Sequence, residues 1–259
     1  MAHSKSRAVA LVLLACGMVA PVVARAEPMA PQHLSDVNDA PVLRAGDHWT
    51  YAHVWEKGGT VRRPARTEIT VQRDERLSWP RTGLIVTRRE LDSDRAPDQW
   101  GIGADWGRWR IAGNRRQDLD RPLAFPLYPG ETWEIEHWTP DPDSMGYDRE
   151  GVHHHYAVAG WEDVTVAAGR FFAVKIEVTG KWLATPPAGS VGQGPRPTGA
   201  PAPKTAWQAP SSVTGQLYRA YWYVPEVKRW VKQIEVYYDA NGAELERHTA
   251  QLQDYRVSF

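Results

Sequence analysis

The run His153-His154-His155 is the densest set of candidate metal ligands in the chain. On an extended strand His153 and His155 project to one face, and a His-x-His pair can present two imidazoles to one ion. His154 falls on the opposite face with Val152, Tyr156 and Val158, the expected core side. His53 and His137 share the inward phase of their own segments, so a three-histidine metal centre built from His53, His137 and His154 is one reading. The other is a pair of solvated histidines plus three partly buried ones, hydrogen-bonded at strand ends. No cofactor is called for: the glycine clusters Gly101-Ile-Gly103 and 189–194 lack phosphate-binding spacing.

Other polar motifs lead to no chemistry. Asp141-x-Asp143-x-x-Gly146-x-Asp148 has the look of a calcium loop, but Met145 sits at its fifth position and Val152 where a bidentate Glu is needed. Ala188-Gly-Ser-Val-Gly192 is a degraded nucleophile elbow with no helix following to strain the turn. Glu134 and Glu136 are ordinary outward residues of a strand. With no catalytic constellation in view, the sequence points away from an enzyme without excluding one. Aromatic density is the remaining clue. Tyr218, Tyr221, Trp222, Tyr223, Trp230, Tyr237 and Tyr238 lie on two adjacent expected strands, and Tyr221, Trp222, Tyr223 and Trp230 are the candidate ligand-binding residues. Alternation forbids Tyr221 and Tyr223 from sharing a face with Trp222, so some rings lie outside one face. They either line a lipid- or glycan-binding surface or are covered by a second layer.

The elements that must position these residues are strands. In Phe172-Ala-Val-Lys-Ile-Glu-Val-Thr-Gly-Lys-Trp182 the residues Phe172, Val174, Ile176, Val178 and Trp182 share one face, and Lys175, Glu177, Thr179 and Lys181 the other. One wet side is the habit of antiparallel sheets. Turn residues punctuate such runs at Gly58-Gly59, Ala168-Gly169 and Asp239-Ala-Asn-Gly242, the last being the best hairpin signal. No window makes a convincing amphipathic helix, and Ala243 to Leu252 is read as strand. The expectation is a mainly β fold: a single antiparallel domain over 44–259 with about ten strands, either a sandwich or a curved half-barrel. The segment 184–215, rich in Pro, Gly, Ala and Ser, is expected to be a flexible insertion between two strands. The segment 140–148 is expected to be an exposed acidic loop.

The N-terminus bounds the compartment. Lys5 and Arg7 precede the apolar run Ala8 to Ala15, and Ala24-Arg25-Ala26 fits a small-x-small cleavage site, so 1–26 reads as a signal peptide. Residues 27–43 then form an N-terminal extension. Gly17 and Pro21 interrupt the apolar run short of the roughly 20 residues a membrane span needs. Leu13-Leu14-Ala15-Cys16 offers an alternative: lipidation at Cys16 and an outer-membrane anchor in place of a free periplasmic protein. Cys16 is the one cysteine of the chain. Its removal with the leader would exclude disulfides, cysteine-based zinc sites and a cysteine nucleophile. Losing Lys5, Arg7 and Arg25 from the 31 basic residues leaves 28 against 31 acidic ones. No basic face suggests a nucleic-acid partner.

Two segments nearly repeat each other: Gly46-Asp-His-Trp-Thr-Tyr-Ala-His53 and Gly130-Glu-Thr-Trp-Glu-Ile-Glu-His137. Each reads Gly, acid, any residue, Trp, any residue, bulky apolar, any residue, His. They are expected to be equivalent strands, each opened by a glycine turn and anchored by an indole. Each buried aromatic removes about 150–250 Å² from water, so the 13 tryptophans of the chain can build a core without disulfides.

The succession "GDHWTY", "FPLYPGETW", "VTVAAGRFFAVKIEV" and "YWYVPEVKRWVKQIE", over about Arg44 to Tyr255, resembles an uncharacterised group of secreted bacterial β-domain envelope proteins, many of them lipoproteins. The chain departs from that pattern at Lys228, where relatives usually carry Gly. The general look is similar to the half-barrels of envelope lipoprotein carriers, which implies an apolar concave face. The functional expectation is a non-catalytic periplasmic protein that binds an apolar ligand, a lipid or glycan, or an envelope protein along an aromatic-rich sheet. The alternatives are a metal-binding protein or metal-dependent enzyme using the inward histidines, and a structural accessory subunit of an envelope assembly.

Overall fold

The computed structural model describes residues 37, 39–61, 64–73, 84–103, 105–112, 115–140, 149–185 and 213–259. The expected signal peptide, Cys16, most of the expected N-terminal extension, nearly all of the expected acidic loop and residues 186–212 of the expected insertion lie outside them.

Among the described residues there are thirteen strands: β1 (His48–Lys57), β2 (Thr60–Val61), β3 (Ala65–Arg73), β4 (Leu84–Glu90), β5 (Asp98–Ile102), β6 (Arg108–Ala112), β7 (Arg115–Asp120), β8 (Thr132–Pro140), β9 (Arg149–Val166), β10 (Gly169–Thr185), β11 (Val213–Val224), β12 (Arg229–Asp239) and β13 (Glu244–Arg256). A 3-10 turn, Pro225–Val227, separates β11 from β12. All pairings are antiparallel, and one sheet runs β7-β6-β5-β4-β3-β1-β13-β12-β11-β10-β9-β8, with β2 beside β1. The sandwich expectation is thereby corrected, since one hydrogen-bonded path joins every strand. The two edge strands approach each other: Gln117 Nε2 on β7 donates to the Trp138 carbonyl of β8 at 3.2 Å. The sheet is therefore rolled nearly shut. Among the described residues no helix is long and apolar enough to cross a membrane.

Alternation is the physical origin of this sheet. Trp49, Tyr51 and His53 of β1 are buried while their neighbours are only partly so. On β10 Val174, Ile176, Val178 and Trp182 are buried and Lys181 exposed. The expected phase slips at the start of β10, where Phe171 is buried and Phe172 half-buried, stacked on Trp161 at 5.3 Å between centroids. A register shift opposite Lys175/Ile176 accompanies it, and a bulge re-aims side chains in this way. The insertion is shorter than 184–215, because Ala184 still pairs with Val213 in the β10–β11 ladder.

The repeated segments use one device twice. Gly46 and Gly130 take φ of +95° and +90°, where glycine alone is unstrained. Gly46 N donates to Val71 O, and Val71 N to Asp47 O; Gly130 N donates to Val158 O, and Val158 N to Glu131 O. Each following indole then donates to a carbonyl, Trp49 to Val227 at 2.8 Å and Trp133 to Arg121 at 3.0 Å.

The Lys228 departure keeps the turn geometry. Lys228 itself adopts the left-handed conformation, φ +58°, and is buried. Its ammonium reaches the Val42 carbonyl at 2.8 Å, Asp47 Oδ2 at 3.3 Å and the Ser258 carbonyl. Asp47 also accepts from Ser258 N at 2.8 Å. The strained lysine thus ties both ends of the β-domain to the β11–β12 turn.

Candidate functional site

Two apolar clusters contribute residues to the interior of the rolled sheet. The larger contains Trp49, Tyr51, Ile69, Tyr221, Trp230 and Ala250. The smaller is Val152, Trp182, Ala184 and Leu217, with Tyr237 packed against it. Between them lies a cavity of about 520 Å³ whose walls draw on both clusters. Lining residues come from β1 and β3–β7 on one side of the strand order, and from β8, β9 and β11–β13 on the other. A volume of this size suits a small ligand.

The walls are both aromatic and charged. Trp55, Trp100, Tyr221, Trp230 and Tyr237 line the cavity, together with Arg88, Arg108, Arg110, Arg219 and Arg229 and the carboxylates Asp98, Asp120 and Glu235. Arg88 and Asp98 pair at 2.9 Å at the half-exposed rim. Deeper in, Arg108 grips both oxygens of Asp120 through Nε and Nη2. Arg219 Nη2 donates to Glu235 Oε1 at 2.6 Å, and its Nη1 to the Tyr221 hydroxyl at 3.2 Å. Gln233 takes the other oxygen of Glu235 at 3.3 Å. Burial opposes ionisation of Glu235, but the Arg219 charge and hydrogen bond outweigh it and hold the carboxyl at about 2. Asp120 is likewise held below its ordinary range, burial being outweighed by Arg108.

Arg229 has no carboxylate partner among the described residues, and its side-chain hydrogen bond is to the neutral Tyr51. The arginine is 3% exposed, lines the cavity, and lies over the rings of Trp230 at 4.1 Å and Trp49 at 5.6 Å. Its Nε has no hydrogen-bond partner, and no carboxylate among the described residues pairs with it. Burial lowers its pKa, yet guanidinium does not lose its proton in proteins. A desolvated cation–π contact is worth about 2 kcal/mol, whereas burying an ion costs several. The rings offset only part of that cost.

Four histidines line the same cavity in two pairs. His53 Nδ1 and His248 Nε2 share a hydrogen bond of 2.8 Å, and His53 Nε2 meets Thr67 Oγ1 at 2.6 Å. The His248 ring stacks on Trp55 at 4.3 Å. Across the cavity, His137 and His154 meet edge to face at 6.2 Å. All four are held neutral. Burial, then the charges of His248 and Arg88, pushes His53 down to about 3. Burial, then Arg219, does the same to His154, also to about 3. Burial takes His248 to about 4 against the opposing pull of Glu235, and it lowers His137 despite Asp120.

The sequence-selected residues divide accordingly. His53, His137 and His154 do share one cavity, but β1 and β8–β9 are far apart in the strand order, and the histidines form separate pairs. Among the described residues no group of three or more His, Cys, Asp or Glu is spaced to hold a metal. His153 and His155 are exposed on the outer face, each 3.6 Å from Glu134. Tyr221 and Trp230 line the cavity, whereas Trp222 and Tyr223 do not. Trp222 faces outward with Lys175, its cross-strand partner, under the ammonium groups of Lys175 and Lys232, and bonds Glu162. Tyr223 packs edge to face on Phe125 at 5.6 Å within the core. The arginines, Glu235 and His248 were not selected. Parity carried the signal: Arg219 lies between Leu217 and Tyr221 in the inward phase, and His248 precedes Ala250 and Leu252 in the same way. The wholly apolar face implied by the resemblance is therefore replaced by a polar layer between two apolar ones.

No protein-family model matches the chain, and no curated protein does. Solved structures it is similar to include an exported protein with a YmcC-like fold from Bacteroides fragilis, at 10% identity and TM-score 0.40, covering 85% of this chain and 99% of that one. A lipoprotein from Parabacteroides distasonis matches at 14% identity and TM-score 0.42, over 87% and 100% of the two chains. A LolA superfamily protein from Nitrosomonas europaea matches at 11% identity and TM-score 0.27, over 86% and 90%. Likenesses this distant carry no functional argument, which rests on the cavity.

Proposed function

We propose that the protein is a non-catalytic binding protein of the cell envelope that takes a small ligand into the interior of its rolled sheet. One observation supports this above the rest: a cavity of about 520 Å³ lies between the two apolar clusters, and polar atoms of Trp100, His137, His154, Arg219 and Arg229 on its wall have no partner. Buried polar groups are ordinarily satisfied, so each unsatisfied one calls for an explanation, and on this wall a bound ligand would supply it. Tyr221 and Trp230, whose rings lie 5.0 Å apart, offer an apolar flank for the same ligand. The envelope assignment rests on the leader-like N-terminus.

The test is extraction. Protein secreted by its own leader and purified without denaturant is unfolded, and the released small molecules are identified by mass spectrometry. One compound near one equivalent is expected. It should be lost from Ala250→Phe, which places a ring in the cavity from a wall residue that is 2% exposed. An equal yield from the filled variant, with its fold intact by circular dichroism, would move the ligand elsewhere.

A further inference from the structure

We propose that the ligand of this cavity carries an anionic group, a carboxylate or a phosphate, that docks on Arg229. The inference rests on reading the cavity as the ligand site and adds the chemistry of what fills it.

The wall holds more cation than anion. Five arginines face three carboxylates, and those carboxylates are already taken. Arg108 occupies both oxygens of Asp120, and Arg219 with Gln233 occupies both of Glu235. Asp98 is engaged at the rim by Arg88. Of the two arginines that remain, Arg110 donates to Gln117 at 3.0 Å, and Arg229 is left as a buried guanidinium with a free Nε. Around the same cavity the Arg219 Nε and the Trp100 Nε1 are also donors without acceptors. These three groups can only donate, whereas the unmatched ring nitrogens of the neutral His137 and His154 can accept as well as donate. A neutral, donor-rich ligand would leave the three donors unmatched, and a cation would find no free carboxylate. An anionic group is acceptor-only, matches the planar donor fork of an arginine, and supplies the charge the cavity lacks. The histidines agree, since arginine charges help to keep all four from protonating.

The outer face carries a pocket of similar volume, about 520 Å³, lined by His153, His155, Lys181, Tyr218 and Tyr238, but none of its lining residues holds a buried polar atom without a partner. His153 and His155 flank Glu134 there, but all three are about half-exposed and no third imidazole joins them.

The test uses the full mature chain labelled with 15N, and three ring-bearing probes of similar size: benzoate, phenyl phosphate and neutral benzamide. Arginine Nε–H and indole Nε1–H resonances are followed by NMR. At least one of the two anions is expected to shift Arg229 Nε–H and Trp100 Nε1–H saturably, at an affinity at least about tenfold above that of benzamide. Their relative affinities tell carboxylate from phosphate. Arg229→Gln should weaken the preferred anion about tenfold, while Arg229→Lys, which keeps the charge, should retain part of the affinity. If Arg229→Gln fails to fold, the wild-type shifts alone carry the test. Benzamide binding as tightly as the anions, with lining indoles shifting, would overturn the anion inference and leave the cavity reading standing. Anions that bind without moving Arg229 would also overturn it. No lining resonance moving with any probe would overturn both.

Discussion

Mild acid should destabilise this protein through three buried histidines, and the effect can be sized from the structure. His53 and His154 are held at about 3 and His248 at about 4, while an unfolded chain restores each to its ordinary value near 6.5. The folded values are depressed, so the neutral rings favour the fold fully above that unfolded value. The advantage is then lost as the pH falls toward the folded values, because the unfolded chain gains protons that the native state refuses. Between pH 7.5 and pH 5 each histidine costs about 2 kcal/mol by this linkage, or about 6 kcal/mol for the three. That is a large share of the 5–15 kcal/mol typical of a whole domain. The window is chosen so that carboxylates contribute little, since Glu235 stays ionised throughout. Urea unfolding followed by tryptophan fluorescence at pH 7.5, 6 and 5 measures it, with midpoints falling at a nearly constant m-value. His154→Gln should flatten the slope by about a third. Stability that is level or rising toward pH 5 would mean that these rings accept protons in the folded state. The description of the cavity as electropositive would then be wrong.

Two further substitutions probe the frame that holds the cavity. Lys228→Gly relieves a left-handed lysine, worth about 1 kcal/mol, but removes the ammonium from buried Asp47, which keeps only backbone donors from Arg44 and Ser258 at 2.9 and 2.8 Å. A net loss of about 2 kcal/mol is expected, with faster hydrogen exchange at Ser258. Adding Asp47→Asn should recover part of the loss, and a stabilised single variant would show that the lysine is mere strain. Gly215→Ala puts a methyl group into the Tyr238 carbonyl and the Trp182 indole. It should cost more than about 3 kcal/mol in chemical denaturation, and a cost under about 1 kcal/mol would refute the close β11–β12 approach.

What the sequence disclosed, and what it did not, follows from period-two patterning. Alternation in β1 and β10 located the core faces, and the Asn241-Gly242 hairpin lies where its turn residues put it, with Gly242 at φ +82° and Asp239 Oδ1 capping two backbone amides at 2.8 Å. The glycine–acid–tryptophan echo was legible because a turn and an indole anchor are local. Closure was not, since the meeting of β7 and β8 depends on accumulated twist over the whole strand order. The site was half legible. His53, His137, His154, Tyr221 and Trp230 stand out by type, whereas Arg219 and Glu235 look like solvent-facing charge until the partner strand shows that each neutralises the other. Trp222 misled because its face is outward yet covered by lysine stems. Lysine stems bury apolar surface in this way without leaving a mark in the hydrophobic pattern.

The central claim is that the interior of the rolled sheet, rather than its outer surface, receives the ligand. Indole Nε1–H spectra taken with and without the compound released from the native protein test it most directly. The account predicts shifts at Trp55, Trp100 and Trp230, which line the cavity, with Trp222 on the outer face unmoved. Shifts at Trp222 or at the exposed Trp138, with the three lining indoles silent, would contradict it.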